Sequence, residues 1–398
     1  MEMVVEMAEA LKAPWLIDVE SAHVDGCIYN GQAGLDFVEL LASSDGRVSV
    51  PTTLNAGLLD LLHPELWQGD PERQRAARRQ MELYVTMGCQ PTFTCAPYLL
   101  PVRPAFGSHI AWAESNAIVF ANSVLGARTD RYGDFFDICA ALTGRVPYVG
   151  LHVTENRRAR AVFNVKSLSA GLLASDILYP TLGYLVGGAT DTLVPAITGL
   201  PGTVSEDQLR ALGAAAASSG SVAIFHAVGV TPEAPTLDAA LGGTPPIREM
   251  EITLADLVAA RDELSTAVSG PLTAVCVGAP HFSLAEFAAL RWSLNGRPIQ
   301  EGVGFYASTG RHTLSELRVR GWLAELEAIG VQVVTDTCTY FAPVVPLGGG
   351  VVMTNSAKWA HYGSMELADQ VAFGSLEECV ESAIAGRIVR DDDLWCPA

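Results

Sequence analysis

Thr273-Ala274-Val275-Cys276-Val277-Gly278-Ala279-Pro280-His281-Phe282-Ser283-Leu284-Ala285-Glu286 is the stretch on which the fold turns. Its first five residues are apolar and partly β-branched, which predicts a short buried strand over Thr273–Val277. Ser283, followed three residues later by Glu286, is a capping box, in which two side chains satisfy two amide donors that a helix start leaves unpaired. Gly296 stands where that helix should stop, suited to a left-handed cap. The same punctuation recurs elsewhere. Ser205 with Gln208, Thr313 with Glu316 and Ser375 with Glu378 mark further helix starts, and Gly330 a further stop. Among them, Ser221–Val228, Val331–Thr335 and Val351–Thr354 read as buried strands. Strand and helix alternate, so the fold class is α/β, with parallel sheets covered on both faces. In such sheets, sites gather where the carboxyl ends of strands open into loops. Cys276–His281 and Thr335–Cys338 occupy such ends.

In the N-terminal half the clearest helix spans 70–87, with Asp70 as N-cap, Pro71 at the first position and Gly88 to close it. Its DPERQRAARRQME surface reads as a solvated charged face. Residues 89–98, with Pro91 and Pro97, read as an irregular loop. The chain has 398 residues, room for two to three domains of ~100–200 residues. It is 49% hydrophobic and 17% charged, with mean hydropathy +0.26, so disorder is excluded as its main description. Twenty-five basic residues against 44 acidic ones give a net charge of −19, and the lysines are only Lys12, Lys166 and Lys358. Such a field repels phosphate backbones and anionic lipid, which argues against nucleic acid and membrane surfaces as partners. The apolar regions 178–204 and 209–230 are broken by Pro180, Asp191, Pro195, Pro201, Glu206, Asp207 and Arg210, unlike a bilayer span of ~20 residues. The first residues are acidic where a secretory signal needs positive charge. Eight cysteines (27, 89, 95, 139, 276, 338, 379 and 396) lack framework spacing and read as reduced thiols of a cytoplasmic protein.

The usual nucleotide and hydrolase signatures are missing: there is no G-x-x-x-x-G-K-S/T, no G-x-G-x-x-G after a strand, no G-x-S-x-G and no H-E-x-x-H. Candidate chemistry lies instead in polar words set among small residues. Ala22-His23-Val24-Asp25-Gly26-Cys27 offers His23 and Asp25 for proton transfer, against the more frequent fate of a satisfied core histidine. Pro51-Thr52-Thr53-Leu54-Asn55-Ala56-Gly57 offers Thr53 and Asn55, whose plain structural account is hydrogen bonding at a strand end. Farther on, Glu114, Ser115, Asn122 and Arg128 interrupt an apolar helix over Ala117–Leu125. They suit either a structural network or a pocket for a small carboxylate with Arg128 as bidentate donor. Lys358 follows a strand among Asn, Ser and Ala, and reads either as a surface lysine or as a group reaching an anion. Cys379 sits in the first turn of a capped helix, where amide dipoles favour a thiolate. No C-x-x-C pair occurs, so spacing alone signals neither zinc nor a ferredoxin-type cluster.

The words AHVDGC (22–27), PTTLNAG (51–57), TFTCAPY (92–98), ESNAIVFANSVLGARTDR (114–131), DTCTY (336–340), TNSAKWAHY (354–362) and FGSLEECVESAIAG (373–386) run nearly the length of the chain. In them, and in their order, the sequence resembles the aconitase X family, specifically its large subunit. That resemblance implies an aconitase-like fold, several three-layer α/β/α subdomains around a central cleft. Residues 1–398 would form the large-subunit catalytic region, with the small swivelling domain and its catalytic base, typically a serine, on a separate small subunit. It also implies a hydro-lyase with an iron–sulfur cluster, 2Fe-2S favoured, held by Cys95, Cys338 and Cys379, with Cys396 competing for the third place. Family members dehydrate cis-3-hydroxy-L-proline, giving Δ1-pyrroline-2-carboxylate, or else mevalonate 5-phosphate; a lysine-poor, acidic chain favours the hydroxyproline. Onto the matching words go Thr53, Asn55, Ser115, Asn116, Arg128 and Thr129 as substrate-binding residues and Glu114, Lys358 and His23 as catalytic ones. A cluster-free lyase and a non-catalytic ligand-binding homologue are the alternatives, and the presence of Cys95 and Cys338 speaks against the second.

Overall fold

The alternation of strand and helix resolves into three parallel sheets in the computed structural model, which describes residues 1–346, 349–366 and 370–396. In each sheet the first strand lies inside and the chain winds outward from it in both directions. The three-stranded sheet has Ala22–Val24 in the middle, flanked by Thr52–Leu54 and Ala111–Trp112. The four-stranded sheet runs His226–Ala227, Pro195–Thr198, Ala161–Asn164, Arg248–Glu251. The five-stranded sheet runs Val331–Val334, Gly304–Ser308, Leu272–Val277, Val351–Thr354, Val371–Phe373. An inner first strand creates a topological switch point, where the connections leave in opposite directions and a crevice opens beyond the strands' carboxyl ends.

The helices form where the sequence punctuates them. Ser205, Ser283 and Ser375 complete their capping boxes, and Asp70 caps the helix Pro71–Thr86. Thr253 with Asp256 forms a further box. Thr313 does not cap: its helix begins two residues earlier at Arg311, which puts the Arg311 guanidinium 2.7 Å from the buried Asp336. The helix opening at Leu284 is closed by Asn295 in the left-handed region, one residue before the expected Gly296. Only His226–Ala227 of the expected strand Ser221–Val228 pairs. The rest runs irregularly because it is stitched elsewhere, with the Phe225 amide donating to Ser123 Oγ at 2.8 Å and the Ala223 carbonyl accepting from Asn122. The apolar helix expected over Ala117–Leu125 starts at Ser115 and loosens into a π-turn over Ala121–Leu125.

The two most apolar segments become a central helix pair, Leu178–Thr190 and Glu206–Gly220. They approach so closely that a methyl group on Gly183 would lie 2.1 Å from the Leu212 carbonyl oxygen. No helix among the described residues is long and apolar enough to cross a membrane.

Candidate active site

A cleft of about 490 Å³ opens where the carboxyl ends of the three-stranded and five-stranded sheets face one another. Asp25 directly follows Ala22–Val24, Asn55 follows Thr52–Leu54, and Glu114 comes two residues after Ala111–Trp112. Three successive strand ends thus deliver three polar side chains to one rim. From the other sheet, Lys358 lies in the first turn of the helix Ala357–Glu366, just beyond Val351–Thr354.

Lys358 Nζ donates to Glu114 Oε1 at 2.6 Å, with both side chains 5% exposed. Burial works against the cation, but Glu114, Tyr340 and Cys95 together outweigh it and hold the Lys358 pKa well above the ordinary lysine value. Glu114 is also the N-cap of the helix Ser115–Phe120, accepting from the Ala117 amide at 2.7 Å. Its other neighbour is Asn116, whose Nδ2 also donates to the Cys95 carbonyl at 2.8 Å. One chain of contacts therefore runs from Lys358 through Glu114 and Asn116 to Cys95.

Cys95 and Cys338 lie with Sγ atoms 4.0 Å apart, and His281 Nε2 is 3.7 Å from Cys338 Sγ. All three residues are buried, and their ligand atoms lie within 4.8 Å of one another. They come from three places: the irregular 89–98 loop, the turn after Leu272–Val277 and the turn after Val331–Val334. The His281 amide donates to Cys95 Sγ at 3.2 Å, and buried Arg210 pins the His281 carbonyl from the central helix pair. Burial raises the Cys95 thiol, yet the hydrogen bond from Cys338 and the charge of His281 bring it below the ordinary range; Cys338 is held above that range, first by donating the bond to Cys95 and then by burial. Two soft sulfur donors and an imidazole converging in a dry pocket make a donor set suited to iron–sulfur or thiophilic metal chemistry.

Of the residues singled out in the sequence, Asp25, Asn55, Glu114, Ser115 and Lys358 line the cleft together. Asn116 lies behind Glu114. His23 and Thr53 lie beneath the rim, bonded to each other at 2.8 Å. His23 is fully buried, and burial lowers its pKa to about 3, so it is a neutral core histidine. Arg128 and Thr129 do not reach the cleft. The Arg128 guanidinium donates to the His152 carbonyl and Thr154 Oγ1, both at 2.9 Å, and Thr129 stitches Trp112 to Asn122. Cys379 is packed in the core beside the five-stranded sheet, apart from the Cys95–Cys338 pair. Burial raises its pKa well above the thiol value, so the helix start does not yield a thiolate. Cys396 is exposed.

Four residues escaped the sequence reading. His281 lies beside Cys95 and Cys338, where the sequence reading had looked for Cys379; its signal was its place at a strand end. Arg73 and Arg131 line the cleft and enter no ion pair among the described residues. Arg73 was hidden in a helix face that looks merely solvated, and Arg131 closes the same word that supplied Arg128. Asp134, three residues on, also lines the cleft.

Comparison with known proteins agrees along the whole chain. Family models described as aconitase X first, second and third domain match residues 1–155, 159–262 and 272–385. A protein of Pseudomonas aeruginosa named cis-3-hydroxy-L-proline dehydratase is 46% identical over 99% of this chain and 68% of its own length. One of the same name from Hypocrea jecorina is 42% identical over 97% of this chain and 65% of its own length. The chain thus spans about two thirds of each. A phosphomevalonate dehydratase large subunit of Methanothermobacter thermautotrophicus is 38% identical, with 91% of this chain and 88% of that one covered. The crystal structure of Thermococcus kodakaraensis aconitase X in its holo-form superposes with a TM-score of 0.85 at 30% identity, covering 96% of this chain and 94% of that one.

Proposed function

The chain belongs to the aconitase X family, and on that premise we propose that it is the large catalytic part of a hydro-lyase that dehydrates cis-3-hydroxy-L-proline. The reaction breaks the Cα–H and C3–O bonds, forms a C2=C3 double bond and releases water. The resulting enamine then gains a proton at C3 and loses one from nitrogen to become Δ1-pyrroline-2-carboxylate. The observation that carries the reading is the Cys95–Cys338–His281 group set against the buried Lys358–Glu114 pair, in a chain most of whose length matches two proteins named for this activity.

Cys95, Cys338 and His281 are the residues that would hold the family's iron–sulfur group, of 2Fe-2S type in our reading. When bound, an iron with an open position supplies a Lewis acid for the departing hydroxyl. The remaining work falls to the chain. Arg73 and Arg131, cations with no ion-pair partner among the described residues, hold the substrate carboxylate. As the Cα proton leaves, negative charge spreads onto that carboxylate, and fixed cations at the wall stabilise it more than they stabilise the ground state. Lys358 Nζ, kept protonated by Glu114, adds a positive donor to the same wall. Ser115 and Asn55 complete the polar lining.

The base that takes the Cα proton is assigned to a small subunit carrying the swivelling domain, which makes the working enzyme a heteromer. Eight free cysteines suit a reducing cytoplasm.

The test is to co-express the chain with a family small subunit, purify the complex without oxygen, record its visible spectrum, and assay cis-3-hydroxy-L-proline beside mevalonate 5-phosphate. Turnover of the hydroxyproline by a coloured complex is expected. Turnover of the phosphate alone would keep the family and overturn the substrate. In the same complex, Cys338→Ser should abolish colour and activity while the far-ultraviolet circular dichroism stays unchanged; full iron content in that variant would overturn the ligand assignment.

A further inference from the structure

Along the cleft rim formed by the three-stranded sheet, hydrogen-bond acceptors and negative charge are in excess. Asp25, Asp134 and Asn55 line this stretch. Asn55 is only 3% exposed. Its Nδ2 is committed to Asp25, and its Oδ1 finds no hydrogen-bond partner among the described residues. Lys358, a cation of the same cleft, is committed to Glu114. Burial, and then the charges of Asp134, Glu114 and Asp137, push the Asp25 pKa up to about 8. A buried acceptor left without a donor costs about 1–3 kcal/mol, and crowded carboxylates resist ionisation. A group bringing N–H donors and one positive charge relieves both.

We propose that Asn55 Oδ1, Asp25 and Asp134 form the subsite for the protonated ring nitrogen of the substrate, and that this subsite selects an ammonium-bearing hydroxy acid over a phosphate ester. The inference rests on the hydroxyproline reading and deepens it. A secondary ammonium carries two N–H donors, one for Asn55 Oδ1 and one for a carboxylate, and its charge offsets the acidic surroundings. With Arg73 and Arg131 also on the cleft wall, the site has one pole for each charge of a zwitterion. A phosphate dianion offers Asn55 Oδ1 no donor and brings more negative charge to a rim whose carboxyls already resist ionisation. Asp25 and Asp134 therefore act in specificity, holding the substrate without taking part in the elimination.

The test measures binding and turnover separately on the anaerobically purified complex. Calorimetric titration with L-proline and with cyclopentanecarboxylate, the same ring and carboxylate without nitrogen, reads the subsite alone. L-proline should bind at least about 10-fold tighter, the scale of a hydrogen bond to a charged group. Asp134→Asn, which leaves the Asn55–Asp25 contact in place, and Asp25→Asn should each erode that preference. Each should also raise KM for cis-3-hydroxy-L-proline by about 10-fold while kcat moves far less. Equal binding of the two probes by the unmodified complex, or an unchanged preference in both variants, would overturn the subsite even if hydroxyproline is turned over. A complex that prefers L-proline but does not dehydrate hydroxyproline would keep the subsite and overturn the activity.

Discussion

Lys358 and Glu114 show how a single pair can serve stability and chemistry together. Each is taken out of water, and neither charge is tolerable there without the other. Lys358→Met leaves the Glu114 carboxylate buried and uncompensated, and should lower the unfolding free energy by about 3–5 kcal/mol along with abolishing activity. Glu114→Gln added to Lys358→Met removes the stranded charge and retains a cap acceptor for the Ala117 amide, so stability should partly return while activity does not. Urea unfolding of the two variants checks this; equal midpoints would show that the stranded charge is not the cause. At this scale the sequence was legible where a polar residue sits among small neighbours, as Lys358 and Asn55 do. It misled where two residues of the same type compete. Nothing local distinguishes Arg128, spent on the His152 carbonyl and the Thr154 hydroxyl, from Arg131, which lines the cleft.

At the scale of elements, the helix pair Leu178–Thr190 and Glu206–Gly220 depends on glycine for its close approach. Gly183→Ala puts a methyl group 2.1 Å from the Leu212 carbonyl oxygen, a backbone atom that cannot swing aside, and should destabilise by about 3 kcal/mol. Gly188→Ala, in the same helix with nothing within 4 Å, should be neutral or stabilising by up to about 1 kcal/mol. Thermal unfolding should separate the two, and a shift of equal size and sign in both would refute the packing account. Capping boxes were readable because the interaction spans three residues. Thr313 had the same pattern and failed, since starting the helix at Arg311 lets that side chain reach Asp336. The strand expected over Ser221–Val228 was lost mostly to side-chain stitching from Asn122 and Ser123, a hundred residues away in the chain and invisible to periodicity.

For the whole molecule, buried titratable groups set opposing pH slopes. Burial raises the Asp137 pKa to about 7 and that of Asp25 to about 8. The native state therefore keeps protons that the unfolded chain has shed, and this contribution to stability falls as pH rises from about 4 to 8. Burial lowers His23 and His152 to about 3, so their contribution rises with pH until the unfolded histidines lose their protons near 6.5. Between pH 6.5 and 8 the carboxyl term, which Glu286 at about 7 joins, is opposed by the single lowered thiol of Cys95; three carboxyls outweigh one thiol, and Tm should fall there by circular dichroism, with a shallower fall in Asp137→Asn; a rising Tm would contradict the assignment. The sequence by itself determined the α/β alternation, most helix starts and the family, because capping, strand character and ordered words are encoded in neighbouring residues. Only the tertiary structure decided which groups meet: Cys95 with Cys338 across 243 residues, His281 rather than Cys379 beside them, and Lys358 with Glu114 across 244. Those meetings follow from how two sheets turn their carboxyl ends toward one cleft, and packing at that range leaves no trace in local pattern.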